Sequence, residues 1–349
     1  MLSTDSVLIE KLRFPLAVMV VFIHTGNRAF TDGGEWLRIT LAKVIPAVAV
    51  PLFFLIAGYL FFQGLNYWHW KTWRDKLSRR VYSLLIPYLL WIGLYVLYAY
   101  LHQSRLEGEW LPLGNWFSGN GGLKMWWDCI VTEETGPLGL ATVSAHPYHR
   151  VLWFVRDLMV VNILSPLLHF CLRKCRGWFV LFLFVLYVFK IWPPLHSLGI
   201  SCVFFYSWGA WLAQNKKSLA AWFGRWKKPA FVLSVAMFIP IVLLWENAHF
   251  VVLKPVWTII WGMAFICLVG ISKTEGRWAS CTFFIYVTHS VVLSNIRQAF
   301  ILLPSSPMPQ AIVFLLTGTM TVLICVLVYY CIMKKFFPQI TLCLCGKNN

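Results

Sequence analysis

Long apolar segments alternate with short basic segments along almost the whole chain. Windows of about 20 apolar residues, the length that crosses the hydrocarbon core of a bilayer, recur about ten times. They cover residues 8–29, 40–62, 81–101, 151–171, 178–193, 199–213, 229–246, 255–272, 279–302 and 310–333. The pattern predicts an all-α fold, a polytopic bundle of about ten transmembrane helices.

The segments between the windows predict the orientation in the membrane. One set of connections, together with the two termini, holds 20 of the 30 Lys and Arg residues. Such an excess marks cytoplasmic segments. We therefore expect both termini in the cytoplasm and residues 102–150 outside, as the one long extracytoplasmic loop of a single integral membrane domain covering residues 1–349.

The composition supports a membrane protein and argues against other classes. Apolar residues make up 59% of the chain and charged residues 12%, whereas soluble domains average about 45–50% and about 25%. The net charge of +17 is spread over short runs between apolar windows, a distribution that favours a lipid bilayer over nucleic acid as partner. The ten cysteines lie mostly in apolar windows or the tail, without the spacing of a metal site, so we predict no metal.

Arg13 and His24 bound an unbroken apolar run, residues 14–23, within the first apolar window. Arg13 and His24 are eleven residues apart, so on a helix they point within roughly 20° of each other, about 16 Å apart along the axis. Burying such a group in hydrocarbon costs roughly 2.5 kcal/mol or more unless it faces a polar interior. The pair therefore predicts a functional site along one helix face. Glu10 is one turn before Arg13 and is placed to pair with it.

Five stretches in order along the chain share one resemblance. They are the Arg13 to His24 spacing, Val50–Phe61, Arg79–Tyr88, Leu152–Leu158 and Phe283–His289. Together they resemble the acyltransferase 3 family of bacterial integral membrane O-acyltransferases. The resemblance implies transfer of an acyl group, expected to be acetyl, from cytoplasmic acyl-CoA to a hydroxyl of a cell-envelope glycan or lipid-linked sugar. It also implies residence in the bacterial cytoplasmic (inner) membrane.

The resemblance gives the charged residues expected roles. Arg13 would hold the coenzyme A phosphates, and His24 would act as general base on the acceptor hydroxyl, because imidazole titrates near neutral pH. Arg79 and Arg80 offer planar guanidinium groups that suit phosphate oxygens. The alternative for these two arginines is plain anchoring at the cytoplasmic surface.

The fourth and ninth windows supply further candidates. Arg156 and Asp157 are neighbours that point about 100° apart on a helix. They are therefore not expected to pair with each other, and each is expected to need a partner from another helix. Asp157 is a candidate to orient a catalytic imidazole, the alternative being a structural ion pair between helices. His289 is a second candidate catalytic residue, or a histidine bonded to a neighbouring helix. Trp153, Arg156 and Tyr286 are candidate substrate-binding residues, with Trp153 alternatively part of an aromatic belt.

Two classes of function are compatible with these sequence features. The first is the acyltransferase, with acyl-CoA and an envelope glycan as partners. The second is a transporter or flippase of a glycan intermediate, which would use the same buried charges along a translocation path. The two related halves typical of many transporters are not visible in the sequence, which favours the enzyme. Acceptor choice is expected to reside in loop 102–150, with His146 and His149 near its end.

Overall fold

The computed structural model describes residues 4–26, 30, 34–65, 68–107, 112, 114, 134–135, 141–142, 150–193, 195, 197–272, 276–302 and 309–346. The chain divides into two compact units, which are treated separately below. The first comprises Met1–Trp68, Ser165–Trp192 and Ile200–Phe337, and the second comprises His69–Leu164, Pro193–Gly199 and Pro338–Asn349.

Helices account for nearly all of the described residues. Numbered in chain order, they are α1 Thr4–Thr25, α2 Glu35–Arg38, α3 Ala49–Phe62, α4 Trp70–Arg80, α5 Ile86–Glu107, α6 Trp153–Ile163, α7 Ser165–Cys175, α8 Gly177–Phe189, α9 Ile200–Gln214, α10 Leu219–Arg225, α11 Lys227–Leu244, α12 Leu253–Ile271, α13 Thr282–Leu302, α14 Gln310–Leu327, α15 Lys334–Phe336 and α16 Pro338–Leu344. Wider π-helical turns cover Ile39–Val44, Val81–Leu85 and Val328–Met333, and 3₁₀ turns cover Pro46–Val48, Arg150–Leu152, Ala248–Phe250 and Arg277–Cys281. Two strands of two residues each, β1 Glu134–Thr135 and β2 Ala141–Thr142, pair in the antiparallel direction.

Helices long and apolar enough to cross a membrane confirm the predicted all-α membrane class. Among the described residues there are six such stretches, or seven if the bent pair α6 and α7 forms one span. They are Glu35–Phe62, Trp70–Tyr98, Lys227–Leu244, Leu253–Ile271, Trp278–Ala299 and Gln310–Phe336. The predicted count of about ten is not confirmed, because α8 and α9 have only 13 and 15 residues and α1 carries several charges. The sides on which the termini lie stay a prediction.

The first unit is built around a close crossing of α3 and α9. A Cβ atom on Gly58 would lie 2.1 Å from the Tyr206 carbonyl oxygen, and one on Gly209 would lie 2.0 Å from the Leu55 carbonyl oxygen. Only glycine permits backbones to approach this closely. Because the crossing is so tight, α3 becomes a fixed wall against which α1 packs.

A proline shapes the helix that leads into α3. Pro46 lacks an N–H and is separated by one residue from the first π-helical turn, so the regular backbone bonding is interrupted there. Two indole N–H groups of α12 donate to carbonyl oxygens at this break: Trp257 to Val44 at 2.8 Å and Trp261 to Ile45 at 3.0 Å. The break is thereby fixed in place within a buried aromatic cluster.

Asp5 ties the start of α1 to two other elements. Its carboxylate accepts hydrogen bonds from the Tyr59 hydroxyl at 2.7 Å, the Ser218 hydroxyl at 2.7 Å and the Ala220 backbone N–H at 3.0 Å. Asp5 is buried, so these bonds replace the water that a buried carboxylate loses. The entry of α1 is therefore fixed relative to α3 and α10.

We expect Asp5→Ala to lower the stability of the folded protein by on the order of 2–3 kcal/mol, because buried donors lose their charged acceptor. Thermal unfolding of the purified protein in detergent would measure the change. Asp75→Ala is the matched control, since Asp75 is exposed in α4 and its loss should leave stability unchanged. Equal melting temperatures for the two variants would contradict the assigned role.

The second unit contains α4, α5, α6 and α16. The indole N–H of Trp91 in α5 donates to the Leu344 carbonyl at 3.0 Å. Gly346 follows α16 with φ of +63°, and a Cβ atom there would lie 2.2 Å from the Ser83 carbonyl oxygen. Most of the predicted loop 102–150 lies outside the described residues, and α5 extends helically to Glu107.

Candidate functional site

The candidate site lies along α1, in the first unit. Leu12, Leu16 and Val20 form part of its buried stripe, while Arg13 and His24 are half-buried. The continuous helix places the two polar groups about 16 Å apart along its axis, within roughly 20° in direction. The helix that forms is therefore consistent with the prediction that Arg13 and His24 share one helix face.

His24 and His289 come together at the C-terminal end of α1. Their ring centroids are 5.1 Å apart, with the ring planes inclined at 40°. His289 is fully buried in α13, and the Tyr286 ring lies 6.4 Å from it. Three residues selected from the sequence thus form one cluster, although no sequence pattern links the two histidines.

The tautomer of His289 follows from its backbone contacts. Its Nδ1 lies 2.7 Å from the Tyr286 carbonyl oxygen and 3.2 Å from that of Ile285. A carbonyl oxygen only accepts hydrogen bonds, so Nδ1 carries the proton in these contacts. His289 Nδ1 therefore bonds to the backbone of its own helix, α13. The hydrogen bond to a neighbouring helix that the sequence suggested does not involve this Nδ1 atom.

Two arginines bind the carbonyl oxygens at the end of α1. Arg297 Nη2 donates to the His24 and Thr25 carbonyls at 2.7 and 2.8 Å. Arg38 Nη1 donates to the Gly26 carbonyl at 2.9 Å. Carbonyl groups in the last turn of a helix have no partner within the helix, and positive charge is favourable there. The backbone that carries His24 is thus held by two guanidinium groups.

The Arg38 side chain is itself held by carboxylates. It is buried, and its Nε donates to both Glu35 oxygens at 2.9 and 2.8 Å. Glu246 lies 3.6 Å from it and also binds Lys43. The hydrogen bond from Lys43 holds the pKa of Glu246 below its usual value, so Glu246 is ionised at neutral pH. A charged network therefore supports one side of the α1 terminus.

Arg13 presents a different environment from these structural arginines. Within the described residues its guanidinium group makes no hydrogen bond and no ion pair closer than 4 Å, and Glu10 is the nearby opposite charge. A half-buried guanidinium in this state can accept an anionic ligand without losing an internal partner. Arg13 therefore suits the predicted phosphate-binding role.

The remaining predicted site residues belong to the second unit. Arg156 and Asp157 bind each other, with Nη2 and Nε lying 3.1 and 3.3 Å from Asp157 Oδ1. The prediction that sequence neighbours could not pair is therefore wrong, because the long Arg156 side chain reaches back across the angle between them. Asp157 is buried and also accepts a hydrogen bond from Ser197.

Arg79, Arg80 and Trp153 also lie in this unit. Arg79 is exposed at the end of α4, where its Nε donates to the Asp75 carbonyl at 3.3 Å, and Arg80 is half-buried beside it. Trp153 is half-buried in the first turn of α6. These positions are compatible both with ligand binding and with the anchoring alternatives.

Sequence reasoning assigns no role to Arg38 or Arg297. Each is a single arginine near the end of an apolar window, which is also where interfacial residues ordinarily occur. Their contacts with backbone carbonyls depend on helix packing and leave no mark in sequence spacing. Among the described residues, no group of three His, Cys, Asp or Glu side chains is placed to hold a metal ion. His146 and His149 lie outside the described residues.

The fold and site define a helical membrane protein in which α1 carries a half-buried arginine, Arg13, and a histidine, His24, that packs against His289 of α13. The chain belongs to the acyltransferase 3 family: the sequence profile of that family's acyltransferase domain matches residues 9–330. The resemblance inferred from the five stretches is thereby confirmed.

The chain is also similar to a curated protein, the succinoglycan biosynthesis protein ExoH of Rhizobium meliloti. The two are 31% identical over 174 aligned residues, which cover 46% of this chain and 41% of the relative. The chain thus spans about two fifths of the length of that relative. No solved structure matches the chain.

Proposed function

We propose that the protein is an integral membrane O-acyltransferase that transfers an acyl group, expected to be acetyl, from acyl-CoA to a hydroxyl of a cell-envelope glycan or lipid-linked sugar. Membership of the acyltransferase 3 family supports the reaction class. The acceptor class is supported by the relative whose name places it in the biosynthesis of succinoglycan, a polysaccharide.

The observation that carries the proposal is the contact between His24 and His289. His24 lies on α1, the helix that also bears Arg13. A coenzyme A phosphate at Arg13 and a thioester carbon beside His24 would be about 16 Å apart, a distance that the long pantetheine arm can span. Acyl-CoA would therefore enter from the Arg13 end of α1, and the acceptor would reach His24 from the opposite end.

In this mechanism His24 removes the proton from the acceptor hydroxyl as the oxygen attacks the thioester carbonyl carbon. A new C–O bond forms, the C–S bond breaks, and the proton passes from the imidazolium to the leaving thiolate. The products are the acylated acceptor and free coenzyme A. Because every proton is returned, His24 ends the cycle in the form in which it began.

The other predicted residues have supporting roles in the proposal. His289 positions the His24 ring through its contact with it, and Tyr286 in turn packs against His289. Within the second unit, Asp157 is proposed as an orienting carboxylate and Trp153 and Arg156 as acceptor-binding groups. Arg79 and Arg80, also in the second unit, are proposed to bind phosphate oxygens of coenzyme A.

The proposed function is tested by comparing envelope glycans from cells with and without the gene. Mass spectrometry should find an acyl mass increment on the glycan that disappears when the gene is deleted and returns on complementation. Identical glycan masses in the two strains would contradict an acyltransferase acting on these glycans.

The proposed orientation, with both termini in the cytoplasm of a bacterial inner membrane, is tested by labelling single cysteines in a cysteine-free variant. Asn120→Cys should react with a membrane-impermeant maleimide added outside intact cells. Lys217→Cys should react only after the membrane is opened, because Lys217 belongs to a basic connection. The reverse pattern would overturn the orientation.

We expect Arg297→Gln to lower kcat by at least about tenfold while KM for the acyl donor stays unchanged, because two charged hydrogen bonds to the His24 and Thr25 carbonyls are lost. Arg297→Lys should recover part of the rate. Gln298→Ala is the matched control, since Gln298 is exposed on the same helix. A change in thermal stability without a change in kcat would show that Arg297 has only a structural role.

A further inference from the structure

A groove of about 480 Å³ opens between α8, α9, α11 and α12, all in the first unit. Its walls are almost wholly apolar and include four tryptophans, Trp208, Trp211, Trp222 and Trp226. None of the candidate catalytic or donor-binding residues lines it. The volume falls within the range of about 300–1,000 Å³ that is usual for sites holding small molecules.

The groove opens on a helix face that is suited to lipid. Three of its lining residues, Leu181, Trp226 and Leu233, are 47%, 50% and 47% exposed. Lys227–Leu244 is one of the stretches long and apolar enough to cross a membrane. An apolar groove on such a face is favourable for a hydrocarbon chain, and water would find no polar partners there.

One end of the groove is strongly basic. The Lys217 ammonium group lies 4.1 Å from the centre of the Trp211 ring, which lines the groove. Arg225 and Lys227 flank Trp226 in sequence, and Arg176 directly precedes Gly177, another lining residue. These three residues are exposed, and Lys217 is half-buried.

Negative charge is scarce around this end. No Asp or Glu occurs between Asp157 and Glu246 in the sequence. The acid that contacts the neighbouring helix α10 is Asp5, and its carboxylate already accepts bonds from Ser218 and Ala220. The basic residues beside the groove are therefore available to an external anion, and tryptophan is a typical residue at the level of lipid headgroups.

We propose that this groove binds one anionic phospholipid, with an acyl chain against the tryptophan walls and the headgroup phosphate at Lys217 and Arg225. The two parts of the site match the two parts of such a lipid, because basic pockets between transmembrane helices bind acidic headgroups and the apolar groove excludes water. The site is independent of the proposed acyl transfer and would stabilise the packing of α8, α9, α11 and α12.

Native mass spectrometry of the purified full-length protein tests the site. Phosphatidylglycerol and phosphatidylcholine with identical oleoyl chains are titrated separately, and the bound fraction is measured for each. The wild type should bind one phosphatidylglycerol more tightly than phosphatidylcholine. Lys217→Gln combined with Arg225→Gln should weaken phosphatidylglycerol binding by roughly tenfold to thirtyfold, the effect of removing two charges at a membrane surface.

Two further variants separate the groove from general surface charge. Lys334→Gln combined with Lys335→Gln removes a basic pair at the end of another span, in α15, and should leave phosphatidylglycerol binding unchanged. Leu233→Phe keeps every charge but narrows the groove, and should weaken binding. Equal binding of the two lipids by the wild type, or unchanged binding by Leu233→Phe, would overturn the proposal. So would displacement of phosphatidylglycerol by an equimolar polyprenyl phosphate, which would identify a different occupant.

Discussion

Replacing His24 with alanine is expected to lower the rate of acyl transfer by about 10²-fold to 10⁴-fold, the usual contribution of a general base. The alanine cannot take the proton from the acceptor hydroxyl, so the attacking oxygen stays protonated and weakly nucleophilic. The rate is measured as thiol released from acyl-CoA by the purified protein in the presence of acceptor. The substitution removes a half-buried ring at the end of α1, so the protein should still fold and insert.

His249→Ala is the matched control for this variant. His249 is exposed in the 3₁₀ turn Ala248–Phe250 of the same unit, so its loss should leave the rate unchanged. His289→Ala should also lower the rate, by a smaller factor, because it removes the ring that packs 5.1 Å from His24. A His24→Ala protein with wild-type activity would remove His24 from the mechanism.

Arg13→Ala is expected to weaken binding of acyl-CoA by about 10-fold to 150-fold, which corresponds to losing a hydrogen-bonded charge pair worth about 1.5–3 kcal/mol. The physical reason is that no other cation on α1 is placed to replace it, since Lys11 Nζ donates to the Ser272 carbonyl at 2.8 Å. Binding of coenzyme A to the purified protein by isothermal titration calorimetry measures the change.

Arg13→Lys should keep the charge but lose the two-pronged geometry of the guanidinium group, so its affinity should fall between those of the wild type and the alanine variant. Lys335→Ala removes an exposed cation elsewhere in the first unit and should leave affinity unchanged. Coenzyme A affinity that is equal in wild type and Arg13→Ala would exclude Arg13 from the donor site.

The sequence was sufficient to predict the helical membrane class, because long apolar windows are the strongest signal a chain can carry. The same windows single out Arg13, His24 and His289 as candidates, since a polar group within an apolar window needs a physical reason, and their catalytic and binding roles stay predictions. The contact between His24 and His289 could not be predicted, because it depends on how α1 packs against α13 and no spacing along the chain encodes that packing.

Other features depended on local geometry that the apolar pattern does not contain. The side-chain directions of neighbours on an ideal helix led to the wrong prediction that Arg156 and Asp157 would not pair. The long, flexible Arg156 side chain spans the angle of about 100° between them. The bonds from Arg38 and Arg297 to carbonyl groups at the end of α1 involve backbone atoms, which every residue type supplies. The span count of about ten stays a prediction, because two of the apolar helices, α8 and α9, are shorter than a helix that crosses a bilayer alone.

We propose that the protein transfers an acyl group to its acceptor and does not simply move a glycan through the membrane. Acyl transfer can be measured with purified protein in liposomes, supplied with acyl-CoA isotopically labelled in the acyl group and with a lipid-linked sugar acceptor. We expect labelled acceptor and an equal amount of free coenzyme A thiol, both absent with His24→Ala. Acceptor that crosses the bilayer unlabelled, with the thioester intact, would contradict this proposal and identify a transporter.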